Sequence, residues 1–96
     1  IGAQQRVALF LESWSRRMRD AGFSPVDLPL PMSREDVASY LGVAQETVSR
    51  ALSRLQEDEV IELRPRGVQL RDRARLAEIS GAAPPPDRRS GERVPA

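Results

Sequence analysis

Met32-Ser33-Arg34-Glu35-Asp36-Val37-Ala38-Ser39-Tyr40-Leu41-Gly42-Val43-Ala44-Gln45-Glu46-Thr47-Val48-Ser49-Arg50 is the stretch that decides the fold of this 96-residue chain. Ser33 offers a capping hydroxyl and Asp36, three residues on, a carboxylate, the pairing that opens a helix. That helix runs to Tyr40 or Leu41 and stops at Gly42. A second helix is predicted from about Ala44 to about Asp58. Two helices joined so tightly can cross steeply only if the chain is small at the crossing and free to take a positive φ at the corner. Ala38 and Gly42 meet those needs, Val48 anchors the second helix, and Val37, Leu41, Val43 and Leu52 supply apolar contact. The pattern predicts a helix-turn-helix.

The second helix has two faces. At about 100° per residue from Glu46, Val48, Ala51, Leu52 and Leu55 fall between roughly 140° and 240°, while Glu46, Ser49, Arg50 and Ser53 fall between about 300° and 40°. Gln45 lies at the edge of this polar front, near the helix start. A guanidinium forks onto the two major-groove acceptors of guanine, a carboxylate accepts from the cytosine amino group, and a serine hydroxyl can do either. Arg50 and Glu46 therefore match a G·C pair and its neighbour. A carboxylate beside phosphates is repelled unless a donor meets it, which makes Glu46 the more informative residue. The competing explanation is a solvated surface pair, since the two are four residues apart in the favourable order.

Outward from this core, Val7, Phe10, Leu11, Trp14 and Met18 recur at helical spacing from Ala3 to Ala21, and Gly22 ends the leading helix. Pro25, Pro29 and Pro31 exclude a helix between Phe23 and Met32 and leave an extended link with a short edge strand at Leu28 to Leu30. Val60 to Leu63 and Val68 to Leu70 read as a hairpin whose tip is Arg64-Pro65-Arg66-Gly67. Arg64 and Arg66 are placed to touch phosphate, as are Arg34 and Thr47 near the starts of the two central helices, where anions are favoured. Ala74 to Ser80 forms a last short helix, and the proline-rich, charged remainder at 83–96 reads as a disordered tail. The expected fold class is mainly α with a small β hairpin or sheet (α+β), a winged helix-turn-helix over 1–82: leading helix 1–22, helix-turn-helix 33–58, wing 60–71.

Composition narrows the chemistry. The chain has 15 basic residues, all arginine, against 14 acidic ones, for a net charge of +1, with 40% apolar residues. Five arginines between Arg64 and Arg75 face only Asp72, so the basic character is concentrated there. No cysteine or histidine occurs, which removes disulfides, thiolate metal sites and the commonest general base. A domain this small buries roughly two-thirds of its unfolded surface and has little room for a catalytic cavity. Asp58 and Glu59 adjoin at a helix end and point apart. No catalytic residue and no metal site is expected. No apolar run is long enough to span a bilayer and no signal segment opens the chain, so a cytoplasmic location without membrane contact is expected. The first residue, Ile1, suggests a piece of something longer.

With these residues in place the chain resembles the C-terminal DNA-binding domain of the Crp/Fnr family of bacterial transcription regulators, most closely its Fnr-like branch. The resemblance runs from Ala3 to about Ala82, through Leu9-Phe10, Ser15-Arg16-Arg17, Gly22-Phe23-Ser24-Pro25, Met32 to Asp36, Tyr40-Leu41-Gly42 and Glu46 to Arg50. It implies TTGAT-like half-sites, with Glu46 and Arg50 on the central G·C pair and Ser49 on a neighbouring thymine. The cyclic-AMP-receptor branch has glycine where Ser49 stands, and Gln45 fits neither branch's familiar choice. It further implies a palindromic double-stranded DNA operator, a homodimeric full-length protein whose isolated domain can be a monomer, and contact with RNA polymerase, for which Ser24 to Leu28 is a candidate loop. No cofactor is expected in this chain; an iron-sulfur, haem or nucleotide sensor site would lie in a missing N-terminal domain. The alternative from another class is a winged-helix protein-interaction module without sequence-specific DNA readout, which requires exposed apolar anchors.

Overall fold

The computed structural model describes residues 2–81; the tail expected at 83–96 lies outside them. Seven elements follow in order: α1 (Ala3–Asp20), β1 (Asp27–Pro29), α2 (Arg34–Leu41), α3 (Gln45–Glu57), β2 (Ile61–Arg64), β3 (Gly67–Leu70) and α4 (Arg73–Ser80). The boundaries expected for the helices hold to within a residue or two.

Helix α2 begins where its cap predicts. The Asp36 amide donates to the Ser33 hydroxyl at 3.1 Å and the Ser33 amide to the Asp36 carboxylate at 3.4 Å, so two amides that the helix cannot pair internally are met reciprocally. The helix ends at Gly42, which takes φ 75°, a conformation that costs a side-chain-bearing residue about 1 kcal/mol or more. The chain then reverses: the Val43 amide bonds the Ala38 carbonyl at 3.0 Å, and α3 sets out across α2. Arg6 of α1 donates to the Leu41 carbonyl at 2.9 Å and so ties the corner to the leading helix while satisfying an orphan carbonyl.

The crossing is possible because Ala38, 3% exposed, leaves room for α3 to approach. The back of α3 is sealed: Val48, Ala51, Leu52 and Leu55 are buried against Val7 and Leu11 of α1, Val37 of α2, Leu28, Ile61, Val68 and Leu70 of the sheet, and Leu76 of α4. Burial of each large aliphatic side chain contributes about 1.5–3 kcal/mol.

The sheet is antiparallel in the order β1-β3-β2, so the link preceding α2 returns as an edge strand on the hairpin. The edge strand is one residue earlier than the expected Leu28 to Leu30, because Pro29 has no amide and ends the regular ladder. Pairing nevertheless continues: the Leu30 amide reaches the Arg66 carbonyl at 3.1 Å. The Trp14 indole donates to the Pro29 carbonyl at 2.7 Å, and the Ser15 hydroxyl to the Pro25 carbonyl at 2.6 Å. Both bonds lash the strand to α1. The wing is thus a three-stranded sheet bolted to the leading helix, and not a free hairpin. At the far end of α3, the Gln56 side chain accepts from the Leu63 amide at 2.7 Å and joins the helix to β2.

Gly67 is the closest approach in the sheet. A Cβ built there would drive into the Leu28 carbonyl and lie 3.2 Å from the Cα of Pro29; both are backbone and cannot rotate away. Gly67→Ala is expected to destabilise the domain by about 1–3 kcal/mol in chemical denaturation, whereas Gly2→Ala, which meets nothing within 4 Å, should change stability by less than about 0.5 kcal/mol.

Candidate nucleic-acid interface

The exposed side of α3 carries the residues that the sequence places there. Glu46, Arg50 and Ser53 are exposed and Ser49 half-buried. Arg50 Nη2 lies 2.8 Å from Glu46 Oε2, with the two side chains 76% and 74% exposed. A pair so open to water contributes only a few tenths of a kcal/mol, so it holds two side chains in register without committing them to the fold. Gln45 is exposed at the first residue of the helix. Ala44, at the cap position, brings no side-chain bond, and the first amides of α3 are therefore open at the positive pole of the helix. Thr47 is half-buried within that turn.

Arg34 is the first residue of α2, yet the helix crossing carries its guanidinium to the exposed side of α3: Nη1 donates to Ser49 Oγ at 3.2 Å. The sequence places Arg34 near phosphate at a helix start, and no local signal links it to a hydroxyl 15 positions on. Arg54, at the edge of the same face, is held by Asp58 at 3.5 Å. With Glu46, Ser49, Arg50, Ser53 and Glu57 it borders a shallow groove along the helix.

The wing borders a separate cleft. The tip is a two-residue turn, Pro65-Arg66, between paired Arg64 and Gly67. Its two arginines are not equivalent. Arg64 donates to Gln69 at 2.9 Å, Gln69 in turn to Asp27 at 3.2 Å, and Arg64 also stands 3.8 Å from Glu62. Arg66, by contrast, has no side-chain partner among the described residues. Arg34, Arg64 and Arg66 nevertheless line one cleft of about 240 Å³, floored by apolar residues including Met32, Leu52 and Leu63 and containing no carboxylate in its lining. Three cations converge where the wing faces the start of the helix-turn-helix. Such a site suits an anionic backbone.

The large apolar residues left exposed among the described residues, Phe23 at 63% and Tyr40 at 78%, are not on α3. Among the described residues no cluster of three metal-ligating side chains occurs, and no helix is long and apolar enough to cross a membrane.

Comparison with known proteins places these features in a family. The model of the Crp-like helix-turn-helix domain matches residues 5–79. The fumarate and nitrate reduction regulatory protein of Vibrio cholerae is 37% identical over 81 residues, covering 84% of this chain and 32% of that protein. The transcriptional activator protein Anr of Pseudomonas protegens is 40% identical over 81 residues, 84% of this chain and 33% of its own length. The chain therefore spans about a third of the curated relatives it matches. Among solved structures, FixK2 from Bradyrhizobium japonicum superposes with a TM-score of 0.74 at 41% identity, over 85% of this chain and 40% of that one. The catabolite activator protein of Thermus thermophilus gives 0.66 at 35% identity, over 84% and 35%.

The exposure of the polar face of α3 has a direct consequence for stability. Alanine at both Glu46 and Arg50 should change the free energy of unfolding by less than about 0.5 kcal/mol; a loss above about 2 kcal/mol in chemical denaturation would make the pair a structural element.

Proposed function

Because this chain belongs to the family of Crp-like helix-turn-helix domains, found in bacterial transcription regulators related to Crp and Fnr, we propose that α3 enters the major groove and reads bases with Glu46, Ser49, Arg50 and Gln45. The observation that carries this is the exposed Glu46–Arg50 pair at 2.8 Å on a helix whose opposite side is sealed in the core. Arg50 forks onto guanine and Glu46 accepts from the cytosine amino group, the pairing suited to the G·C of a TTGAT-like half-site. Gln45 faces the flanking base pair. Arg34, Thr47, Arg64 and Arg66 hold the phosphates, with Arg66 the freer of the two wing cations.

Residues 1–82 act as the DNA-binding unit of a longer cytoplasmic regulator. Its dimer would bring two copies to half-sites one helical turn apart on a palindromic operator, and RNA polymerase would be contacted by the assembled protein. No cysteine or histidine is present, so these residues do not fit an iron-sulfur or haem group; a sensor ligand belongs to a separate domain. Use of the same helix face as a protein-docking surface is disfavoured because the large apolar residues exposed among the described residues, Phe23 and Tyr40, lie on other elements.

Mobility shift on a TTGAT-type palindrome tests the assignment. Arg50→Ala and Glu46→Ala should each lower specific affinity by at least about 1–3 kcal/mol and relax preference at the G·C pair. Unchanged affinity and preference in both would overturn it. Arg66→Ala should instead weaken binding to all sequences alike and reduce the salt dependence by about one phosphate contact.

A further inference from the structure

We propose that Arg34 determines specificity: it commits the Ser49 hydroxyl to donate toward the base edge it faces, so that thymine or guanine is preferred there over cytosine. The inference rests on the assignment of the α3 face to base readout and adds a second role to a residue otherwise given to phosphate.

Serine is the ambiguous reader on this face, because a hydroxyl can donate or accept. Its ambiguity is removed by what occupies its oxygen. Arg34 Nη1 lies 3.2 Å from Ser49 Oγ, and a guanidinium has donors only. In this contact the oxygen must accept, and its single proton must go elsewhere. The usual destination for a serine within a helix is the carbonyl four residues back, here that of Gln45. Ser49 makes no such bond among the described residues, although Ser15 returns its proton to the Pro25 carbonyl at 2.6 Å and Ser80 to the Ala77 carbonyl at 2.9 Å. The Ser49 proton is left for the groove.

Charge acts in the same direction. A cation at the hydroxyl oxygen polarises O–H toward donation and repels an approaching amino group, as on cytosine. Thymine O4 and guanine O6 and N7 present acceptors instead. In free protein the contact is solvent-exposed and weak; apposition of DNA removes water and strengthens it. The remaining guanidinium donors stay available to a phosphate, so one side chain joins backbone grip to base choice. This follows from the steep α2–α3 crossing, which alone brings the first residue of α2 beside the fifth of α3.

The experiment uses the 96-residue chain and the best duplex recovered from a randomised library, with fluorescence anisotropy at low salt. The base facing Ser49 is the position whose preference changes in Ser49→Ala. There thymine is compared with 5-methylcytosine, which keeps the methyl group and exchanges the O4 acceptor for an amino donor. Wild type should favour thymine by about threefold to tenfold, the worth of one hydrogen bond. Arg34→Met should lower affinity overall and also collapse that ratio to the Ser49→Ala value, with no further collapse in the double variant. A fall in affinity with an unmoved ratio, or no position responding to Ser49→Ala, overturns the role of Arg34. Arg50→Ala serves as the control beneath it: if preference at the guanine position is also unmoved, the base-reading assignment itself has failed.

Discussion

The close crossing of α2 and α3 is the constraint on which the rest depends. It needs a small side chain at Ala38, a left-handed glycine at Gly42 and the buried Val48 together. Once the crossing forms, the apolar stripe of α3 has one place to go, into the core shared by α1, the sheet and α4. Its polar stripe is thereby left in solvent. The exposure of Glu46 and Arg50 is a consequence of that geometry, and so is the meeting of Arg34 with Ser49. The same core residues that stabilise the domain aim the helix on which the proposed function rests.

Support for the crossing comes from outside the motif. Arg6 closes the turn by bonding the Leu41 carbonyl, Trp14 fastens β1 to α1, and Gln56 ties the end of α3 to β2. These bonds connect α3 and the wing through packed elements, the rigidity that the proposed groove and backbone contacts require. Rigid placement also limits the conformational entropy lost on binding. The wing cleft, with three arginines and no lining carboxylate, then offers positive charge beside a face that is itself nearly neutral. Under the proposed function the wing cations serve the phosphates, the polar face of α3 serves the bases, and Arg34 stands between the two.

Much of this was legible in the chain. The Ser33 to Asp36 cap, the Ala38, Gly42 and Val48 frame and the two faces of α3 depend on local spacing and periodicity, and each occupies the place expected. What could not be read was the pairing of distant groups. Nothing local marks Arg34 as a partner of Ser49, Arg64 as the residue drawn onto the sheet through Gln69, or Gln56 as the link to the wing. Nor does sequence indicate that Glu59, with φ 60°, ends α3 in the conformation that Gly42 and Gly81 adopt at the ends of α2 and α4. Local bonds at the helix end hold it there, from the Glu59 amide to the Gln56 carbonyl at 2.9 Å and from the Val60 amide to the Leu55 carbonyl at 2.9 Å.

The most direct test of the central claim is a residue-resolved NMR titration of the chain with an operator duplex. Shifts confined to Gln45 to Arg50, Arg34 and the Pro65 to Gly67 tip, including the Arg50 guanidinium signal, are the predicted result. Shifts gathered instead around Phe10, Trp14 and Tyr40, with α3 unmoved, would contradict the claim that its exposed face reads DNA.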